Sequence, residues 1–207
     1  MSTGKKEKLA GWGNYPVSES YIIRPRNEQD LQNAIRKDQL IPRGLGRSYG
    51  DQALNNNNYV AVCTQLNYFI AWDGKEGVLE CEAGVSLEEI ISVFAPKGWL
   101  PMICPGTKFV TIGGAIANDI HGKAHHIDGS FVNCVISFTI LLADGRVLSA
   151  SRTENEVQRS SRAHLSYPCK TNGPTKSDNL HCQPMRSSCR SDISTTRSSG
   201  CSLHCPV

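Results

Sequence analysis

An α+β fold is predicted for the first 156 residues on three observations. Helical and strand patterns alternate along the chain, but their spacing does not repeat as β-α-β units. Two pairs of apolar strands are joined by short Asp- and Gly-containing turns, which makes them antiparallel hairpins. The apolar periodicity then stops after Ser151, and composition changes with it.

Taken in order, Pro25 to Lys37 opens with Asn27 as a cap candidate, carries acids in its first turn, and places Leu31, Ala34 and Ile35 at helical spacing. Arg36 and Lys37 fall at the negative end of the helix dipole, so a short amphipathic helix is expected. A strand follows at Leu40 to Pro42, then a glycine-rich stretch and the polar run Asn55 to Asn58, which must be loop. Tyr59 to Cys63 is a strand, and NYFIAWD and GVLECEA flank a turn containing Gly74 as a hairpin. Ser86 and Glu89 form a capping box that opens a helix running to Ala95, where Pro96 ends it. The run Val132 to Ala143 is too apolar to face water and turns at Asp144 and Gly145 into a second hairpin.

Hydrophobic residues make up 39% and charged residues 20% of the chain, values that exclude a coiled coil, a collagen-like chain and a wholly disordered polyelectrolyte. The average conceals two compositions. Residues 1–156 carry 15 Lys and Arg against 17 Asp and Glu, whereas residues 157–207 carry 7 against 2 and hold five of the nine cysteines. The tail has 11 Ser, 4 Pro and a single aromatic residue, Tyr167. It cannot bury enough surface to offset an ordering entropy of roughly 1 to 2 kcal/mol per residue, and disorder is expected there. Its cysteines form no CxxC pair and its basic residues are scattered singly, so neither a zinc site nor nucleic-acid binding is expected. No secretory signal follows Met1, no apolar run reaches the roughly 20 residues of a spanning helix, and a cytoplasmic chain without a disulfide framework is expected.

Two glycine-rich stretches carry the chemistry. In RGLGRSYGD, Arg43 to Asp51, the glycines Gly44, Gly46 and Gly50 permit positive φ and close backbone approach, with Ser48 as an added donor. That suits an anion such as phosphate, although the same residues also suit a plain turn. The spacing is not the dinucleotide GxGxxG, because Tyr49 stands where the third glycine would fall, and no GK[ST] follows. PGTKFVTIGGAIANDIHGK, Pro105 to Lys123, places Gly113 and Gly114 at the start of an Ala-rich helical turn. Its amides could take a second phosphate or a flat ring, or the turn could simply pack against a sheet.

RGLGRSYGD, AGVSLEEI, PGTKFVTIGGAIANDIHGK, GSF at Gly129 to Phe131 and LLADGRVL, in that order and with GWG at Gly11 to Gly13, resemble the PCMH-type FAD-binding domain of the vanillyl-alcohol-oxidase flavoproteins. Within that superfamily they are most similar to the decaprenylphosphoryl-ribose 2'-oxidase-like FAD-linked oxidoreductases. The resemblance implies two α+β subdomains clasping FAD, over a domain at 15–156 preceded by an N-terminal segment at 1–14. Arg43, Gly44, Gly46, Arg47, Ser48, Tyr49 and Gly50 would line the pyrophosphate and nearby flavin. Gly106, Thr107, Gly113, Gly114, Ala117, Asn118, His121 and Gly122 would supply the opposite wall. Many members attach flavin to a histidine after the second loop glycine; Arg47 stands there, which implies non-covalent FAD. His121, Lys123 and Tyr49 fall where the family brings side chains to flavin and substrate, implying roles in orienting a sugar hydroxyl or moving its proton, although a structural hydrogen bond for His121 and simple packing for Tyr49 are equally open. His125 and His126 have no acidic or cysteine partner at metal-ligand spacing, and no metal is expected.

The family continues with a further glycine-rich flavin-contact segment and a large substrate domain, and neither pattern appears after Glu156. Val157 to Arg162 can be encoded GTT CAA CGC AGC AGT AGG, and loss of the first base reads Phe-Asn-Ala-Ala-Val-Gly, which is compatible with the family's continuation; out-of-frame translation of residues 157–207, or a comparable gene-model error, is the expected origin of the tail. The resemblance therefore implies FAD binding as part of an oxidoreductase acting on a sugar or polyprenyl-phosphate-sugar hydroxyl. The alternative is a non-catalytic, truncated remnant that binds FAD weakly or not at all.

Overall fold

In the computed structural model, which describes residues 5–35 and 39–151 together with the backbone of 166–171 and 182–184, a four-stranded sheet is formed by the N-terminal part of the chain. Its strands are β1 (Lys6–Ala10), β2 (Val17–Ile23), β3 (Leu40–Arg43) and β4 (Tyr59–Val62), in the spatial order β1-β2-β4-β3. β1 runs antiparallel to β2, whereas β2 and β3 both lie parallel to β4. Parallel strands need a crossover, and helix α1 (Glu28–Ile35) supplies it between β2 and β3. Asn27 caps the helix, its Oδ1 accepting the Asp30 amide at 2.9 Å, and Asp30 Oδ2 accepts the Arg26 amide at 3.0 Å. Leu31 and Ala34 are the buried face; burial of a leucine side chain of this kind contributes about 1.5–3 kcal/mol. Arg36 and Lys37 lie outside the described residues.

The expected boundary between residues 14 and 15 falls in the turn that joins β1 to β2, a turn that contains a cis Tyr15-Pro16 peptide bond. The asparagine run is loop, as expected, and it is tied to β2: the Asn57 amide donates to the Glu19 carbonyl at 2.7 Å and the Tyr21 amide to the Asn58 carbonyl at 2.8 Å.

A second sheet holds both predicted hairpins, β5 (Phe69–Asp73) with β6 (Val78–Cys81) and β8 (Val135–Leu141) with β9 (Val147–Ser151). The apolar run before β8 begins as a 3-10 turn, Phe131–Cys134, and becomes extended only at Val135. A further strand, β10 (Ser166–Thr171), lies antiparallel between β6 and β8, giving the order β5-β6-β10-β8-β9. Strand β7 (Trp99–Pro101) pairs with β11 (Cys182–Pro184). Most of the residues expected to be disordered, 157–207, lie outside the described residues, and β10 and β11 are what is described of them.

Three helices follow in this part of the chain. α2 (Leu87–Phe94) carries the full capping box: the Glu89 amide donates to Ser86 Oγ at 3.2 Å, and the Ser86 amide donates to Glu89 Oε2 at 2.7 Å. Pro96 sits in a 3-10 turn that Gly98 closes with φ 85°. α3 (Ile112–Ala117) starts at Thr111, and the one-turn α4 (His125–Asp128) follows it. Two apolar clusters result. The larger joins Leu79, Leu87, Phe94, Ile112, Phe131 and Phe138, with the Trp72 and Phe94 ring centroids 4.4 Å apart. The smaller gathers Leu31, Ala61, Cys63 and Leu66 of the first sheet's side, and Leu141 of β8 completes it.

Candidate functional site

The first glycine stretch leaves the end of β3 and is folded around Arg43. The Arg43 guanidinium donates to the Ala10 carbonyl at 2.6 Å and to the Ala53 carbonyl at 3.2 Å, tying the end of β1 to the exit of the loop. Gly46 passes over that guanidinium with φ 67°; a Cβ there would strike Arg43 Nη2, so a side chain at this position would push the guanidinium aside as well as strain the backbone. Burial, and after it the charge of Arg47, pulls the Arg43 guanidinium below its ordinary value. Among the described residues neither arginine forms an ion pair. Arg47 Nη1 donates to the Leu45 carbonyl at 2.9 Å, and Arg47 Nε is buried with no hydrogen-bond partner.

The second stretch meets the first at one point. A Cβ on Gly44 would overlap the Thr111 hydroxyl, and Thr111 is the residue that caps α3, its Oγ1 accepting the Gly114 amide at 3.2 Å. Absence of a side chain at Gly44 is what lets the two loops touch. The Ile112 amide is taken by the Val85 carbonyl and the Gly113 amide by the Ala83 carbonyl, each at 2.8 Å. The reading of these amides as open to a phosphate is therefore corrected: the start of α3 is satisfied within the chain.

Beyond α3 the chain reverses through Asp119, whose φ is 44°. Its carboxylate accepts the Ser130 hydroxyl and the Val132 amide, both at 2.8 Å. The Phe131 amide donates to the Ile120 carbonyl at 2.7 Å, and His121 bridges Ser130, so the segment bearing His121 and Lys123 is pinned at its base. Gly122 lies against the Cys104 carbonyl, where a Cβ would approach to 2.5 Å. His121 and Lys123 are exposed, and the His121 ring stands 5.4 Å from that of His125. Among the described residues no group of three or more His, Cys, Asp or Glu is arranged to hold a metal ion.

Of the other expected site residues, Tyr49 is 78% exposed at the rim of the first loop, and the Gly50 amide is held by Gln52 Oε1 at 3.1 Å. Gly106 has open space around it, Thr107 Oγ1 accepts the Phe109 amide at 3.2 Å, and Asn118 Nδ2 donates to the Gly114 carbonyl at 2.8 Å. Ser48 presents its carbonyl to the Trp12 amide at 2.8 Å. Ala117 is exposed at the end of α3. Thr111 and Asp119 escaped the sequence reading. Thr111 was findable, since a threonine three residues before Gly114 has the spacing of a cap; nothing local marks Asp119, whose partners are more than ten residues away.

Two guanidinium groups without an ion pair among the described residues, one with a buried donor lacking an acceptor, stand beside the contact of the two glycine-rich stretches. That donor set fits an anionic group such as a phosphate. The FAD binding domain family matches residues 20–151 of this chain. Decaprenylphosphoryl-beta-D-ribose oxidase of Mycolicibacterium smegmatis is 38% identical over 148 residues, covering 68% of this chain and 32% of that protein. A carbohydrate oxidase of Microdochium nivale is 35% identical over 150 residues, covering 68% of this chain and 30% of its own. A cholesterol oxidase from Brevibacterium sterolicum has the same fold, with a TM-score of 0.68 at 18% identity over 82% of this chain and 37% of that one. The chain spans about a third of the length of these relatives.

Proposed function

Because the chain belongs to the family of FAD binding domains, we propose that FAD lies across the contact between Gly44 and Thr111, with its pyrophosphate against the Arg43 and Arg47 side of the first loop. The observation that carries this reading is the buried Arg47 Nε without an acceptor, next to a second guanidinium without a carboxylate. A buried donor left unsatisfied costs roughly 1–3 kcal/mol, and an anionic ligand removes that cost. Attachment is non-covalent. A guanidinium stays protonated and has no lone pair to offer a flavin carbon, and the resemblance places Arg47 at the loop position where covalent attachment would need a histidine.

In the longer protein of which such a domain is part, bound FAD supplies the acceptor for a hydride leaving a CH–OH carbon. This chain's share is positioning. His121 and Lys123, on the segment fixed by Asp119, orient the sugar hydroxyl and assist the departure of its proton. Tyr49 forms the substrate-side rim. The substrate class is a sugar, free or carried on a polyprenyl phosphate, a reading supported by the two relatives whose names specify such substrates.

Titration of the purified 207-residue chain with FAD, followed by quenching of flavin fluorescence, tests the cofactor reading. Weak, reversible quenching is expected, with FAD recovered in the supernatant after acid precipitation and lost during gel filtration. No quenching at all would sink it and leave the second reading, a non-catalytic domain that does not hold FAD. Flavin bleaching on addition of a candidate sugar is the separate criterion for an enzyme.

A further inference from the structure

The turn between β1 and β2 crosses the first glycine loop in a way that neither sheet requires. Gly11 lies so close to the loop that a Cβ would come within 2.9 Å of the Gly50 carbonyl oxygen and would overlap that of Ser48. The Trp12 amide donates to the Ser48 carbonyl at 2.8 Å, and Arg43 holds the Ala10 carbonyl just before it. The strap is thus fixed at three successive residues. Trp12 itself is 53% exposed, an unusual place for an indole, and its ring lies over the Arg47 guanidinium carbon at 5.0 Å. A guanidinium over an indole face is attracted by the ring quadrupole, and a long arginine side chain otherwise samples many rotamers.

We propose that Trp12 is a positioning residue for FAD binding: its ring holds the Arg47 guanidinium plane so that Nε, buried and without an acceptor, faces the bound cofactor. One arm of the fork is engaged, since Nη1 donates to the Leu45 carbonyl at 2.9 Å. Stack and bond together hold the plane in which the buried Nε, without an acceptor, lies. This inference rests on the reading that FAD occupies the Arg47 side of the loop contact.

The test uses the full chain and the variants W12L, W12F, R47A and W12L/R47A, each checked by its thermal melt. In the ligand-free wild type, the NMR resonances of the Arg47 side chain should show an upfield ring-current shift and slow Nε–H exchange. W12L should abolish both and W12F should retain part of them. For FAD, W12L should weaken binding about threefold to tenfold, the range expected of such a contact. W12F should recover most of the loss, and the double variant should bind no worse than R47A. Losses that add independently in W12L and R47A, or an Arg47 resonance that W12L leaves unmoved, would overturn the positioning role while leaving the cofactor reading intact. A wild type that shows the ring-current shift yet never quenches flavin would overturn the cofactor reading, and the role of Trp12 toward FAD with it.

Discussion

Gly44 is where one methyl group separates the two glycine loops. Its Cβ would overlap the Thr111 hydroxyl and come within 3.1 Å of the Thr111 methyl, so Gly44→Ala must displace either the cap of α3 or the loop. Overpacking of this kind costs about 1–3 kcal/mol. A lowered urea midpoint together with lost flavin quenching is the expected outcome; a variant that binds FAD like the wild type would show that the loop contact does not shape the site. Cys63 makes a different prediction. Burial pushes its thiol up to about 12, and the backbone interaction with Arg43 offsets this only in part. An unfolded chain ionises this thiol near 9.0, so above that pH the unfolded state loses a proton that the folded state keeps. Stability is fully present below pH 9 and declines from there toward about 12, by at most roughly 4 kcal/mol for this group. Urea unfolding between pH 8 and 10.5 should show that decline in the wild type and a shallower one in Cys63→Ala. The exposed Cys104 should meanwhile be alkylated well before the buried Cys63, Cys81 and Cys134, as read by peptide mass spectrometry.

At the level of elements, legibility followed how local the determining contacts are. The α2 capping box spans four residues of sequence, and the helix began where Ser86 and Glu89 placed it. Both hairpins were readable because their turns and apolar runs are contiguous. β2 was not readable, since its alternation is inverted: Ser18 and Ser20 point inward and are buried, their hydroxyl oxygens 3.0 Å apart, while Val17 is 58% exposed. Ser20 Oγ is satisfied by the Asn55 carbonyl at 2.8 Å, a partner no periodicity reveals. The candidate site divides in the same way. Glycine spacing disclosed both loops, but which amides were already occupied depended on Ala83 and Val85, nearly thirty residues from Gly113 and Ile112. Two element-scale outcomes follow. Ser86→Ala should cost about 1 kcal/mol of stability through the lost cap, measured in urea, without changing flavin quenching. Asp119→Ala removes the acceptor of two bonds and should cost roughly 1–3 kcal/mol, with faster amide exchange at Val132 and a loosened segment around His121; unchanged exchange there would remove Asp119 from the account of the site.

For the whole molecule, the two sheets are joined through Leu141. It lies in β8 of the second sheet yet is fully buried among Leu31, Ala61, Cys63 and Leu66 on the first sheet's side. Leu141→Ala should therefore cost about 2–5 kcal/mol, as large-to-small core changes do. The accompanying loss of amide protection should appear in β3 and β4 as well as in β8. Protection lost in β8 alone would mean that the two clusters are energetically separate. Among the described residues no helix is long and apolar enough to cross a membrane.

The same leucine sets an order of events during synthesis. The four strands of the first sheet end at Val62, so they can emerge from the ribosome and pair early. The cluster beneath them stays one side chain short until residue 141 has been made, and a nascent chain paused before that point holds a sheet whose interior is still open.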